Sequence, residues 1–291
     1  MGGNILNSRR QWYASLLVLL AIMTQQYLPP SVQDTAMAAE GLESSTPLTP
    51  QPKRRSLDSD KPSTVEVSIL VYHHIRHSLP ASSRVERRLT VTGAMFDQQM
   101  RYLKDEGYHV ITLDTLVDCL RDGSELPAKP VIISFDDGWE DQFEYALPAL
   151  EKYHFSATFF VVTNFVGARG FLSLPQLQEI RAQGMEIGSH SRSHPHLDKI
   201  NNPIVLWDQI YTSKQILETQ LGAAVDQFAY PYGSYNATTA SIVRSAGYKA
   251  ARACCVGRVQ TDVYALRAVM APNDLANFVK YLRARTKSRP N

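Results

Sequence analysis

From Val65 onward the chain alternates short apolar runs with stretches of helical period, and this alternation restricts the fold more than any other feature. The runs are Val65–Tyr72, His109–Leu113, Val131–Phe135, Ala157–Val162, Met185–Gly188, Val225–Ala229, Tyr248–Ala253 and Ala265–Met270. Between them, Phe96, Met100 and Leu103 recur at the four-and-three spacing of one helix face. Trp207, Ile210, Leu217 and Leu221 mark a longer helix, opened by Asn202 as cap and Pro203 in the first turn. Gly107, Gly123, Gly184, Gly222 and Gly247 each follow such a stretch, as C-terminal caps do. Repeated strand–helix alternation requires a mainly parallel α/β sheet with helices outside, and so many units favour closure into a barrel. No internal sequence repeat accompanies it.

The region before this pattern has a different character. Arg9 and Arg10 precede an apolar run, Trp12 to Met23, that only Ser15 interrupts. It is shorter than the ~20 residues that span a bilayer and fits the apolar part of a signal peptide. Ala36-Met37-Ala38 supplies a small-residue cleavage site, and Ser8-Arg9-Arg10 faintly resembles a twin-arginine signal. Residues 1–39 therefore read as a signal peptide, with an uncleaved membrane anchor as the alternative. Either places the rest outside the cytoplasm, in the periplasm, the cell envelope or the medium. Residues 40–64 are rich in Ser, Thr, Pro and charge, including Lys53-Arg54-Arg55, and read as a disordered linker. That leaves 65–291 as a single catalytic domain. A net charge of +2 excludes a nucleic-acid footprint. Cys119, Cys254 and Cys255 show no zinc-ligand spacing; buried thiols are expected, with a Cys119 bridge to one of the others less favoured. Oligomeric state is not legible.

Three polar clusters sit where apolar runs end: Ser134-Phe135-Asp136-Asp137-Gly138, His190-Ser191-Arg192-Ser193-His194, and Phe228-Ala229-Tyr230-Pro231-Tyr232-Gly233. Asp-Gly alone is a common turn, and a lone His pair is commonly just hydrogen-bonded. In α/β folds, however, strand C-termini converge on the face where sites are built. One carboxylate and two imidazoles make a three-ligand set for a divalent metal with a position left for water, and the remaining carboxylate is a general base. Adjacent strand residues face opposite ways, so Asp136 and Asp137 share a site only if the backbone bends there, which Gly138 permits. Pro195 disfavours helical geometry at His194, so the His pair reads as a loop clamp. His196 is assigned to the surroundings of the ligands or the surface.

Together these motifs resemble the polysaccharide deacetylases of carbohydrate esterase family 4, the NodB-homology domain. Ser134 to Gly138 matches its (T/S)FDDG motif and His190 to His194 its H(S/T)xxH motif. The resemblance implies an irregular (β/α) barrel of about seven strands. It makes Asp136 the catalytic base and Asp137, His190 and His194 ligands of a divalent metal; zinc suits the donors, with cobalt, nickel or manganese as alternatives. It assigns the backbone N–H of Tyr232 to the oxyanion. Two departures stand out. Ala229 and Tyr230 lie where many relatives carry Arg and Pro, with Arg267 a weak substitute for that arginine. No histidine follows His196, so the usual C-terminal acid is missing. Tyr72-His73-His74 instead resembles the poly-N-acetylglucosamine deacetylase branch, whose acid lies in such a segment, and points to His73 first and His74 second. Trp139 and Tyr232 are candidate walls for a sugar ring, with Tyr230 and Pro231 on the substrate side. The expected activity is removal of N-acetyl groups from an acetylated polysaccharide containing N-acetylglucosamine. The rivals are a xylan-type O-acetyl esterase and a non-catalytic glycan-binding barrel.

Overall fold

The run from Val131 to Phe135 offers water no polar face, so it belongs in a sheet covered on both sides. In a computed structural model of the protein, which describes residues 64–283 except 82 and 254–256, it forms the centre of such a sheet. The expected signal or anchor, nearly all of the linker, Cys254 and Cys255 lie outside the described residues, and so does the disulfide considered for Cys119, a buried residue.

Among the described residues twelve strands are formed: β1 (Val65–Glu66), β2 (Ser68–Tyr72), β3 (His74–Arg76), β4 (Thr90–Thr92), β5 (His109–Val110), β6 (Pro130–Phe135), β7 (Thr158–Val161), β8 (Glu186–Ser189), β9 (Gln227–Ala229), β10 (Ala250–Arg252), β11 (Val259–Gln260) and β12 (Val269–Met270). Seven run in the order β10-β9-β8-β7-β6-β2-β12, all pairs parallel, and β5 joins the first residues of β6. One segment joins the two ends of this path. Leu266 follows β10, donating to Ala251 O at 3.0 Å and accepting from Ala253 N–H at 2.8 Å, and the chain continues into β12 against β2. The result is the expected irregular α/β barrel of seven parallel strands.

Side-chain alternation divides the core in two. Ile69, Val71, Ile132, Phe160, Ala229, Ala250, Leu266 and Ala268 share one cluster inside the barrel. Leu70, Tyr72, Ile133, Phe135, Phe159 and Phe228 point outward beneath the helices. Each such Leu, Ile or Phe, fully withdrawn from water, contributes about 1.5–3 kcal/mol.

Nine helices flank the barrel among the described residues: α1 (Arg84–Leu89), α2 (Gly93–Asp105), α3 (Leu113–Asp122), α4 (Leu147–Tyr153), α5 (Leu174–Ala182), α6 (Pro203–Trp207), α7 (Ser213–Leu221), α8 (Ala237–Ser245) and α9 (Leu275–Arg283). Helix α2 buries Phe96, Met100 and Leu103 as its periodicity predicts, and Thr92 caps it by accepting from Met95 N–H. Asn202 caps α6 through Ile204 N–H. The face of that longer helix differs by one position from expectation. Leu206, four residues before Ile210, enters the core, whereas Trp207 is exposed and stacks on Tyr211. A π turn at Asp208–Thr212 separates α6 from α7, and another at Gln142–Ala146 precedes α4. The short parallel pair β3–β4 has no counterpart in the sequence pattern, being only three residues long on each side.

Candidate active site

Because the sheet is parallel, the residues that follow β2, β6, β8 and β9 emerge on one face of the barrel. His73 follows β2, Asp136 and Asp137 follow β6, His190 follows β8, and Tyr230 to Tyr232 follow β9. Asp136 continues the inward register of Ile132 and Ser134, so its carboxylate enters the top of the barrel interior and is buried. The chain then bends at Asp137 itself, which has a left-handed φ of 72°, and at Gly138, with φ 77°. A Cβ at Gly138 would lie 2.9 Å from Val161 Cγ1, so only glycine fits there. The bend lets two successive carboxylates serve one site.

Asp137, His190 and His194 bring one ligand atom each within 4.8 Å of one another. Asp137 Oδ1 lies 3.6 Å from His190 Nε2 and 3.4 Å from His194 Nε2. The free atoms on these side chains are the right ones. His190 Nδ1–H donates to Ala229 O at 2.8 Å, which leaves Nε2 with a lone pair toward the site. Trp139 Nε1–H donates to Asp137 Oδ2 at 3.0 Å, which leaves Oδ1 toward the imidazoles. Two imidazole nitrogens and a carboxylate oxygen so oriented fit a divalent transition-metal ion.

The loop carrying the histidines is held from outside. Arg192 N–H donates to Gln209 O at 3.0 Å, and Ser193 N–H to Gln209 Oε1 at 3.0 Å. Gln209 belongs to the second π turn, whose widened ladder turns its carbonyl toward the loop. His194 has φ 61° and donates its N–H to Ser191 Oγ, which is a loop clamp and not a helical pair. Six non-glycine residues have positive φ among the described residues, and four of them, Asp137, Ser191, His194 and Tyr232, are here. Burial, then the neighbouring His190, lowers the pKa of His194 to about 4, so its imidazole is neutral and able to ligate near pH 7.

Asp136 faces different partners. Its Oδ1 accepts from the guanidinium of Arg252, itself buried in β10. Its Oδ2 lies 3.9 Å from His73 Nε2 and 3.9 Å from His190 Nε2. Burial alone would raise the carboxyl pKa; Arg252, His190 and His73 overcome this and hold it below the usual carboxylate value. Asp136 is therefore an anion held by a fixed cation. Burial also lowers the pKa of His73, against the pull of Asp136 and Asp137.

Several expectations need correction. Arg267 does not approach Asp136. Leu266 and Ala268 take the inward register, so Arg267 points outward, its backbone paired with Gln260 Oε1 at 2.8 Å. Arg252 stands there instead, directly opposite Ala229 in the β9–β10 register. Ala229 is small and leaves room for a guanidinium from the neighbouring strand. A lone arginine in the inward register of an apolar run was the signal available for it. Tyr230 and Pro231 are not open to a substrate. Tyr230 is buried with its hydroxyl donating to Tyr264 O at 3.0 Å, and Pro231 is buried at the start of a 3₁₀ turn. His74 is turned away from Asp136: its Nδ1 pairs with Asp141 Oδ2 at 2.6 Å and its ring packs on Trp139 at 4.2 Å. Trp139 also stacks on Phe171 at 4.3 Å, so it is rim packing as well as a donor to Asp137. Tyr232 is 58% exposed and stacks on His196 at 3.9 Å, close beside His194.

An α/β barrel with two histidines and one aspartate that could hold a cation, and a second, arginine-held aspartate at its strand C-termini, defines a class of hydrolase. Comparison with known proteins names the family. Residues 123–251 match the polysaccharide deacetylase family model. The solved structure of the deacetylase PplD from Streptococcus pyogenes, in complex with acetate, is 30% identical, with a TM-score of 0.69 over 76% of this chain and 100% of that one. IcaB from Ammonifex degensii is 26% identical, with a TM-score of 0.66 over 75% of this chain and 97% of that one. The poly-beta-1,6-N-acetyl-D-glucosamine N-deacetylase of Staphylococcus aureus (strain NCTC 8325 / PS 47) is 27% identical over 201 residues, 62% of this chain and 69% of that protein. The chain belongs to the polysaccharide deacetylase family and is a hydrolase of that class.

Proposed function

We propose that this protein is an exported, metal-dependent N-deacetylase that hydrolyses N-acetyl groups on an N-acetylglucosamine polymer, releasing acetate and a free sugar amine. The observation that carries the proposal is Asp136, an ionised carboxylate held by Arg252 and directly beside the Asp137, His190 and His194 donor set. Those three residues would hold the divalent cation, zinc being the best match to their donors. Such an ion supplies Lewis acidity and lowers the pKa of water toward 7.

The chain's own residues supply the proton traffic. Asp136 takes a proton from water as its oxygen adds to the acetyl carbonyl. The Tyr232 N–H, at a left-handed position on the rim, donates to the oxygen that becomes negative. Asp136 passes the proton taken from water to His73 Nε2, 3.9 Å from its Oδ2, and His73 delivers it to the leaving nitrogen as the C–N bond breaks. His73 is favoured over His74 because His74 is committed to Asp141. The neutral amine leaves with that proton, and the acetyl carbon departs as acetate. Tyr232, with His196 beneath it, offers the exposed aromatic surface for a sugar ring. Nitrogen rather than oxygen as leaving atom is supported by the printed activity of the Staphylococcus aureus relative. Export, by cleaved signal or retained anchor, is supported by the apolar run after Arg9 and Arg10.

Acetate and free amine measured together from acetylated oligosaccharides, with and without chelator, test this reading. Both products should appear in equal amounts, vanish with chelator, and vanish in Asp136→Asn while that variant still binds Zn²⁺. Acetate without amine would make the protein an O-acetyl esterase; full turnover in Asp136→Asn would remove the base.

A further inference from the structure

The β2–β6 ladder ends one residue short of the chemistry. Tyr72 and Phe135 form the last register pair, and Asp136 N–H donating to Tyr72 O at 2.9 Å is its last backbone rung. The carbonyls of His73 and Asp136 lie just beyond that rung. The two are joined by a single side chain. Gln142 Nε2 donates to His73 O at 2.8 Å and to Asp136 O at 2.7 Å. Gln142 is fully buried and opens the first π turn, placed there by its N–H donating to Trp139 O at 3.1 Å.

We infer that Gln142 is a positioning residue: its amide replaces the missing rung and sets the separation between the Asp136 carboxylate and the His73 imidazole. The inference rests on the roles proposed above for those two groups. The amide orientation is not arbitrary. Turned over, its oxygen would face two carbonyl oxygens, so both N–H groups must point at the strand ends. The cost of that orientation is visible, because Gln142 Oε1 is buried with no hydrogen-bond partner. A side chain kept only to fill space would be apolar, since an unpaired buried acceptor destabilises the fold. The function served must be one that needs both donors at once.

Shifting either residue by ~1 Å is expected to cost about 100-fold in rate when the groups must act on one substrate. Gln142→Met keeps the volume and removes both donors; Gln142→Asn keeps the donors but is too short to reach both carbonyls. Full-length Zn²⁺-loaded protein is assayed for acetate release, with Zn²⁺ affinity measured separately on each variant. In Gln142→Met, kcat should fall about 10- to 100-fold while KM and Zn²⁺ affinity stay within about twofold, with Gln142→Asn in between. Wild-type kcat in either folded variant, whatever its Tm, would overturn the inference and leave Gln142 as packing. So would a loss carried by KM or by Zn²⁺ affinity. If Gln142→Met does not fold, Gln142→Asn decides alone by the same criteria. Failure of the underlying reading looks different: Asp136→Asn would then retain turnover regardless of residue 142.

Discussion

Replacing Arg252 by leucine should expose how the Asp136 carboxylate, the proposed base, is kept charged inside the barrel. Arg252 is 3% exposed and Asp136 5% exposed, and the guanidinium bonds directly to the carboxylate. Removing one partner of such a pair leaves an uncompensated buried charge, which costs about 3–5 kcal/mol. Against a typical domain stability of about 5–15 kcal/mol, that is about a fifth of the total or more. The Arg252 guanidinium also sits 5.2 Å above the Phe160 ring, a smaller contribution of about 0.5–2 kcal/mol. Asp136→Leu should destabilise by a similar amount, because it strands the arginine. The double variant replaces both charges with apolar groups and should recover more than half of the summed loss. Urea unfolding of the metal-free protein at pH 7 gives all four stabilities. A cost below about 1 kcal/mol for Arg252→Leu, or additive losses in the double variant, would refute the idea that this pair is what keeps Asp136 ionised.

In the metal-free protein, His73 and His194 have folded pKa values below the ordinary value near 6.5, the latter about 4. The unfolded chain therefore takes up protons first as pH falls, so their contribution is complete above about pH 6.5 and is lost progressively toward about pH 4. Urea midpoints across that range should decline, with a shallower decline in His73→Gln; parallel slopes would contradict the assigned shift. Trp139→Phe removes the donor to Asp137 Oδ2 and should weaken Zn²⁺ binding about tenfold in a dye-competition titration. Gly138→Ala places a methyl 2.9 Å from Val161 Cγ1 at a left-handed position. It should cost roughly 2 kcal/mol, or about 4–8 °C in Tm by calorimetry.

Much of this architecture is readable from local pattern. Seven of the eight apolar runs supply the barrel strands, Ala265–Met270 also closing the barrel, because burial on both faces leaves a continuous apolar signature. The eighth, His109–Leu113, yields only the two-residue β5 beside β6. The Asp136–Asp137 pair and the His190–His194 pair were legible because each lies within one short segment at a strand end. Arg252 was not, because its relation to Asp136 depends on the register of β10 against β9, which no spacing along the chain encodes. Gln142 escaped for a related reason: its partners are backbone carbonyls, and they leave no trace in residue identity. Tyr230 and Pro231 were misassigned because a strand end supplies both the open rim and its buried support. Only the three-dimensional turn decides which residue is which.

The left-handed backbone at Asp137, Ser191, His194 and Tyr232 bears on how this protein could be improved. Each of these residues holds a conformation that glycine adopts more easily, at a cost of order 1–3 kcal/mol apiece. A library selected for heat resistance alone would drift toward glycine at these very places. Its winners would be hardier barrels without the side chains proposed to hold a cation. Stabilising this enzyme for use therefore means leaving the rim untouched and working on the helices that surround it.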